Sequence, residues 1–246
     1  MRFVAKSHTG QVRSSNEDRY RVDMLCEGAG LLVVADGMGG CQAGEVASEL
    51  AVKVVWDTLK MAARPGADWE GLLRIAFSAA NTSIFERARS RADLSGMGTT
   101  LTACVIDGLR AHVAHVGDSR AYLMRDESLI QITNDHSVVA EMVRNGQLTQ
   151  EEARNHPQRS VLTRAAGAYA DVDVDLATLS LRAGDTVLLC TDGLSNMLSE
   201  QEILRVLQNQ CDLEWVASEL VRSANLRGGY DNITVVLARV PEVSVS

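Results

Sequence analysis

The chain has 246 residues, 46% of them apolar, enough for a full core, and with no low-complexity stretch to mark a linker a single domain over 1–246 is expected. A formal net charge of −8 without any lysine- or arginine-rich run argues against nucleic-acid binding. No run of about 18 apolar residues suits a membrane span, Met1–Lys6 lacks the apolar run of a signal peptide, and five scattered cysteines read as reduced thiols in a cytoplasm.

In chain order, the first clear strand is Leu31–Ala35, which ends abruptly at Asp36-Gly37. Val46, Leu50 and Val54, then Leu73, Phe77, Ala80 and Ile84, have the spacing of two amphipathic helices. Thr99–Ile106 meets Asp107-Gly108, and Ala111–Val116 comes at once after it, which predicts a β-hairpin. Ala121–Met124 and Leu129–Thr133 predict a second. Short helices are expected over Val138–Val143 and Thr149–Asn155, where Thr149 and Glu152 form a capping-box pattern. Thr186–Cys190 is a strand ending in Thr191-Asp192-Gly193. Leu213, Val216, Ala217, Leu220, Val221 and Ala224 mark one more helix, and Gly228-Gly229-Tyr230-Asp231 opens the last strand, Asn232–Val240. Strands joined by hairpins, without regular alternation with helices, favour mostly antiparallel sheets covered by helices over a doubly wound parallel sheet.

Several aspartates stand at strand ends. Asp36 and Asp192 each come after an apolar run and precede glycine; Asp118 comes after His115-Val116-Gly117; Asp231 stands just before the last strand; Asp18 falls in an early polar loop. Any one of these alone reads as a turn residue, and Asp107, between two hairpin strands, is read that way. After Asp36 and Asp192, however, the chain goes on toward a helix, and such junctions expose side chains at a sheet edge. If the acids converge, their repulsion needs cations. Oxygen donors suit Mg²⁺ or Mn²⁺, and two such ions about 3.5–4 Å apart can orient a shared hydroxide for in-line attack on phosphorus.

These residues resemble the metal-dependent PPM-type phosphatases (protein phosphatase type 2C) in their compact bacterial form. The matching segments run from Thr9-Gly10-Gln11-Val12-Arg13-Ser14-Ser15-Asn16-Glu17-Asp18 through Val33-Val34-Ala35-Asp36-Gly37-Met38-Gly39-Gly40, Met97-Gly98-Thr99-Thr100 and Ala114-His115-Val116-Gly117-Asp118-Ser119-Arg120. They continue with Asn134-Asp135-His136-Ser137 and Leu189-Cys190-Thr191-Asp192-Gly193-Leu194, and end at Tyr230-Asp231-Asn232-Ile233-Thr234. The resemblance implies an α+β fold, a four-layer αββα sandwich of two mostly antiparallel β-sheets flanked by helices. It implies hydrolysis of phosphoserine and phosphothreonine in proteins, opposing a Ser/Thr kinase, with two Mn²⁺ or Mg²⁺ ions and a weaker third.

In that scheme Asp36 bridges both ions, the Gly37 carbonyl serves one, and Asp192 and Asp231 hold the other. Asp18 binds a metal or its water, Asp118 holds the third ion, and Arg13 grips the substrate phosphate with a fork that lysine lacks. The segment from about 134 to 166 corresponds to the flap near the site. Gly98-Thr99-Thr100 reads as structural, and His136 either as a turn or supporting residue or as a proton donor. The chain departs from many bacterial relatives at Cys41, where they carry a histidine that is a candidate proton donor. A monomer is expected. The competing reading is a catalytically inactive phosphoprotein-binding regulator on the same fold; it is disfavoured because Asp36, Asp192 and Asp231 are all present.

Overall fold

The computed structural model describes residues 1–39, 43–209 and 212–241. Cys41, and with it the expectation about the missing histidine, lies outside the described residues.

Two antiparallel sheets form the centre. One, ordered β1-β11-β10-β7-β8, consists of β1 (Arg2–His8), β11 (Ile233–Arg239), β10 (Thr186–Cys190), β7 (Arg120–Arg125) and β8 (Ser128–Gln131). The other, ordered β2-β3-β5-β6-β9, consists of β2 (Asp18–Cys26), β3 (Ala29–Met38), β5 (Leu101–Asp107), β6 (Arg110–Val116) and β9 (Asp175–Ser180), with the short β4 (Gly98–Thr99) also on β3. The helices α1 (Ala43–Ala62) and α2 (Trp69–Ser90) cover the second sheet; α6 (Glu200–Leu207) and α7 (Leu213–Leu226) cover the first. Between them lie α3 (Val138–Arg144), α4 (Gln150–Arg154) and a single turn, α5 (Asp192–Ser195). The α+β architecture expected from the motifs is the one observed.

Strand periodicity explains the apolar runs. In β3, Leu31, Val33 and Ala35 pack on the helices, while Leu32 and Val34 pack into the layer between the sheets. With both faces covered, no position in the run tolerates a polar side chain. The inter-sheet layer is completed by Val187 and Leu189 of β10 and Val236 and Ala238 of β11.

Two expectations change, and three strands are added. Asp18 is no loop residue: it opens β2, paired in register with Asp36. The strand read as Thr99–Ile106 is broken at Thr100 into β4 and β5, because the Thr100 amide and hydroxyl both turn to the backbone of Asp36. And β1, β2 and β9 escaped the pattern reading, since their outward faces are mixed. The Asp107 hairpin is as expected, Asp107 pairing with Arg110, and its carboxylate accepts from Trp69 Nε1 at 2.9 Å, giving that buried indole its partner.

Candidate active site

The inter-sheet layer stays apolar until its end, and there the same alternation turns polar. Asp36 continues the parity of Leu32 and Val34, and Thr191 and Thr234 continue that of Leu189 and Val236. The acids gather at this edge. One cleft of about 420 Å³ is lined by Arg13, Asp36, Gly37, Asp118, Asp192 and Asp231, among others. Six of the residues singled out in the sequence therefore share one cavity, and Asp18 is the strand partner of one of them, Asp36.

Asp18 is 2% exposed. Its Oδ2 accepts from the hydroxyls of Thr191 at 2.8 Å and Thr234 at 2.7 Å, while its Oδ1 is buried with no partner. Asp192 is similar: Asn196 donates to Oδ2 at 2.9 Å, and Oδ1 is buried and unpartnered. Buried carboxylate oxygens without donors are costly, and two of them, one on a residue lining the cleft and one on the strand partner of Asp36, mark where outside positive charge is called for.

Electrostatics agree. Burial pushes the Asp18 carboxyl up to about 7 against the pull of its two threonine hydroxyls. Burial, then the charge of Asp231, pushes Asp192 up to about 6. Asp36 is driven well above the carboxylate range by burial and then by Asp18, Asp192, Asp118 and Asp231, and Asp118 by burial and then by Asp192. Asp36, Asp118, Asp192 and Asp231 each keep a face open to the cleft, so an entering cation would reach them.

Among the described residues, no three His, Cys, Asp or Glu side chains close as a ready-made cage. That is compatible with hard divalent ions, which take much of their shell from water and backbone carbonyls.

Supporting residues are more numerous than the sequence suggested. Asp36 is gripped through its backbone: its amide donates to Thr100 Oγ1 at 2.9 Å, and its carbonyl accepts from the Thr99 hydroxyl at 2.8 Å and the Thr100 amide at 2.9 Å. Asn232 fastens the loop bearing Arg13, donating to the carbonyls of Thr9 and Ser15 and accepting from the Glu17 amide at 2.8 Å. Arg13 itself donates to Asp231 at 2.7 Å, half-exposed at the mouth. Glycine stands after Asp36 and after Asp192 for steric reasons. A Cβ at Gly37 would lie 2.1 Å from the Gly44 carbonyl oxygen, and one at Gly193 would lie 1.9 Å from that of Asn232.

Other motif residues face away from the acids. Arg120 forks onto Asp135, with contacts of 2.7–3.1 Å, and donates to the Tyr122 hydroxyl. Buried His136 accepts from the Gly117 amide through Nδ1 at 3.1 Å, so its Nε2 carries the proton toward Asp175. It holds the turn before Asp118 through the Gly117 amide. The thiols of Cys104 and Cys190 are free, and burial pushes both up to about 12.

The protein phosphatase 2C family model matches residues 6–226. The serine/threonine phosphatase stp of Listeria monocytogenes is 41% identical over 234 residues, 94% of this chain and 93% of that protein. The chain belongs to the protein phosphatase 2C family. Among solved structures of the family, the Mycobacterium tuberculosis serine/threonine phosphatase PstP/Ppp is 42% identical with a TM-score of 0.90, covering 98% of this chain and 99% of that one. The catalytic domain of a serine/threonine protein phosphatase PstP, in complex with two manganese ions, is 40% identical with a TM-score of 0.88, covering 98% of each chain. The resemblance carried by the motifs is borne out.

Proposed function

We propose that this protein hydrolyses phosphoserine and phosphothreonine in other proteins at the acid-lined cleft, with two divalent cations as cofactors. The observation that carries the reading is the pair of orphaned carboxylate oxygens, on Asp18 and Asp192, within a ring of mutually repelling aspartates. A related catalytic domain carries two manganese ions, and the donor chemistry here is that of Mn²⁺ or Mg²⁺.

Asp36 would serve both ions with the Gly37 carbonyl beside it, Asp192 and Asp231 would hold one of them, and Asp118 would hold a weaker third. When bound, the ions supply positive charge for the phosphoryl oxygens and acidify water for in-line attack. The rest belongs to the chain. Thr191 and Thr234 fix Asp18 through one oxygen and leave the other free to orient a water. Thr99 and Thr100 fix Asp36. Arg13, held at the mouth by the loop that Asn232 fastens and donating to Asp231, would present its planar fork to the phosphate.

The test is turnover of a phosphothreonine peptide by the purified protein with Mn²⁺, with chelator, and as Asp192→Ala. Activity only in the first is expected. Activity that survives both chelator and substitution would refute the two-cation mechanism.

A further inference from the structure

The acid cleft leaves unused a second, larger cavity that opens from it. A groove of about 740 Å³ shares Asp118 and Asp192 with the cleft and runs outward between α3–α4 on one side and the Ser195–Gln201 stretch on the other. Its size is that of a site for a small ligand or a short piece of peptide.

Charge on its walls is uneven. The α3–α4 side carries Arg144, Arg154 and Arg159, all exposed. Arg144 donates only to the backbone carbonyl of Asp135, and among the described residues no carboxylate pairs with any of the three. The other arginines near the site are all committed: Arg13 to Asp231, Arg120 to Asp135 and Arg164 to Asp175. The groove's acids are accounted for too. Asp118 and Asp192 belong to the acid cleft, Asp135 is neutralised by Arg120, and Glu200 stands on the far wall in the first turn of α6. Glu141 of α3 and Glu151 and Glu152 of α4 are exposed on the same two helices but do not line the groove, so on a chain of net charge −8 the three guanidinium groups without a carboxylate partner are the positive groups this wall presents to the groove.

We propose that this groove receives the polypeptide flanking the phosphorylated side chain and selects for acidic residues there. The claim rests on the phosphatase function proposed for the cleft and adds a substrate class to it: phosphoserine and phosphothreonine within acidic sequence. With the phosphate at Arg13 and the acid cleft, the neighbouring substrate residues enter the groove across the shared floor at Asp118 and Asp192. Carboxylates on them meet the α3–α4 arginines, while apolar Val139, Val143 and Ala153 of the same wall lie under the substrate backbone.

The test uses two phosphothreonine peptides that differ only in carrying Glu or Gln at the positions flanking the phosphoresidue, with p-nitrophenyl phosphate as a substrate too small to reach the groove. For the wild-type protein at low salt, kcat/KM for the Glu peptide should exceed that for the Gln peptide roughly fivefold, the scale of a few exposed charge pairs acting together. The ratio should fall toward one at about 0.5 M salt and in the double variant Arg154→Gln/Arg159→Gln. Because each ratio is taken within one preparation, a general loss of activity in the variant does not mask the result. A wild-type ratio of one or below, or a ratio that the double variant leaves intact, overturns the proposal while turnover of p-nitrophenyl phosphate keeps the phosphatase function standing. No turnover of any of the three substrates by the wild-type protein overturns both.

Discussion

Asp18 receives two threonine hydroxyls on one oxygen and nothing on the other, so its charged form is the one the fold tolerates least without a cation. Its folded-state value of about 7 stands above the ordinary 3.8. A carboxyl raised on folding contributes stability that is complete below the ordinary value and lost as pH climbs through the folded one. In chelator, then, the wild-type protein should lose Tm relative to Asp18→Asn as pH rises from about 4 to about 7, and added Mn²⁺ should reverse the loss. Thermal scans of both proteins across that range check this; a difference that stays flat with pH would contradict it. Arg13 makes a different kind of contribution. Arg13→Lys keeps the charge but not the planar fork, so KM for a phosphothreonine peptide should rise about tenfold, by about the strength of one charge-assisted hydrogen bond, with Mn²⁺ affinity little changed. An unaltered KM would remove Arg13 from phosphate binding.

Among the elements, the junctions between strands and turns bear most of the weight. Gly193 lies where the end of β10 turns into α5 against the start of β11, and a Cβ there would meet the Asn232 carbonyl oxygen at 1.9 Å. Gly193→Ala should therefore cost about 1–3 kcal/mol of stability and weaken Mn²⁺ binding as Asp192 shifts; denaturant melts and a metal titration read the two effects separately. Asp107 provides the contrast. Asp107→Ala leaves the buried Trp69 indole without its acceptor, so it should cost about 1–3 kcal/mol yet leave phosphopeptide turnover unchanged, because that Asp-Gly is a hairpin end far from the cleft chemistry.

The same two Asp-Gly pairs mark how far pattern reading goes. The downstream sequence tells them apart: a strand returns after Asp107, whereas a helix-bound turn comes after Asp192. Runs buried on both faces, such as Leu31–Ala35, were legible because nothing polar interrupts them. β1, β2 and β9 were not, since each has an outward face of mixed character. Asp18 read as a loop residue because Asn16 and Glu17 precede it and its partners, Thr191 and Thr234, are more than 170 residues away in the chain. Thr100 and Asn232 belong to family motifs, but their work on backbone atoms of other segments leaves no local signature.

At the scale of the molecule, the two sheets bring together acids that span most of the chain, from Asp18 to Asp231, and the helices on either side seal the core behind them. The fold concentrates acidic groups at one edge of its central layer, at a cost in burial and repulsion. The central claim is that the gathered aspartates seat a binuclear cation centre. Its most direct test is calorimetric titration of Mn²⁺ into the chelator-stripped, desalted protein. Two or more ions per chain should bind to the wild type, with at least one lost in Asp36→Asn and in Asp192→Ala. A wild-type protein that binds no Mn²⁺, or variants that bind it as the wild type does, would contradict the account.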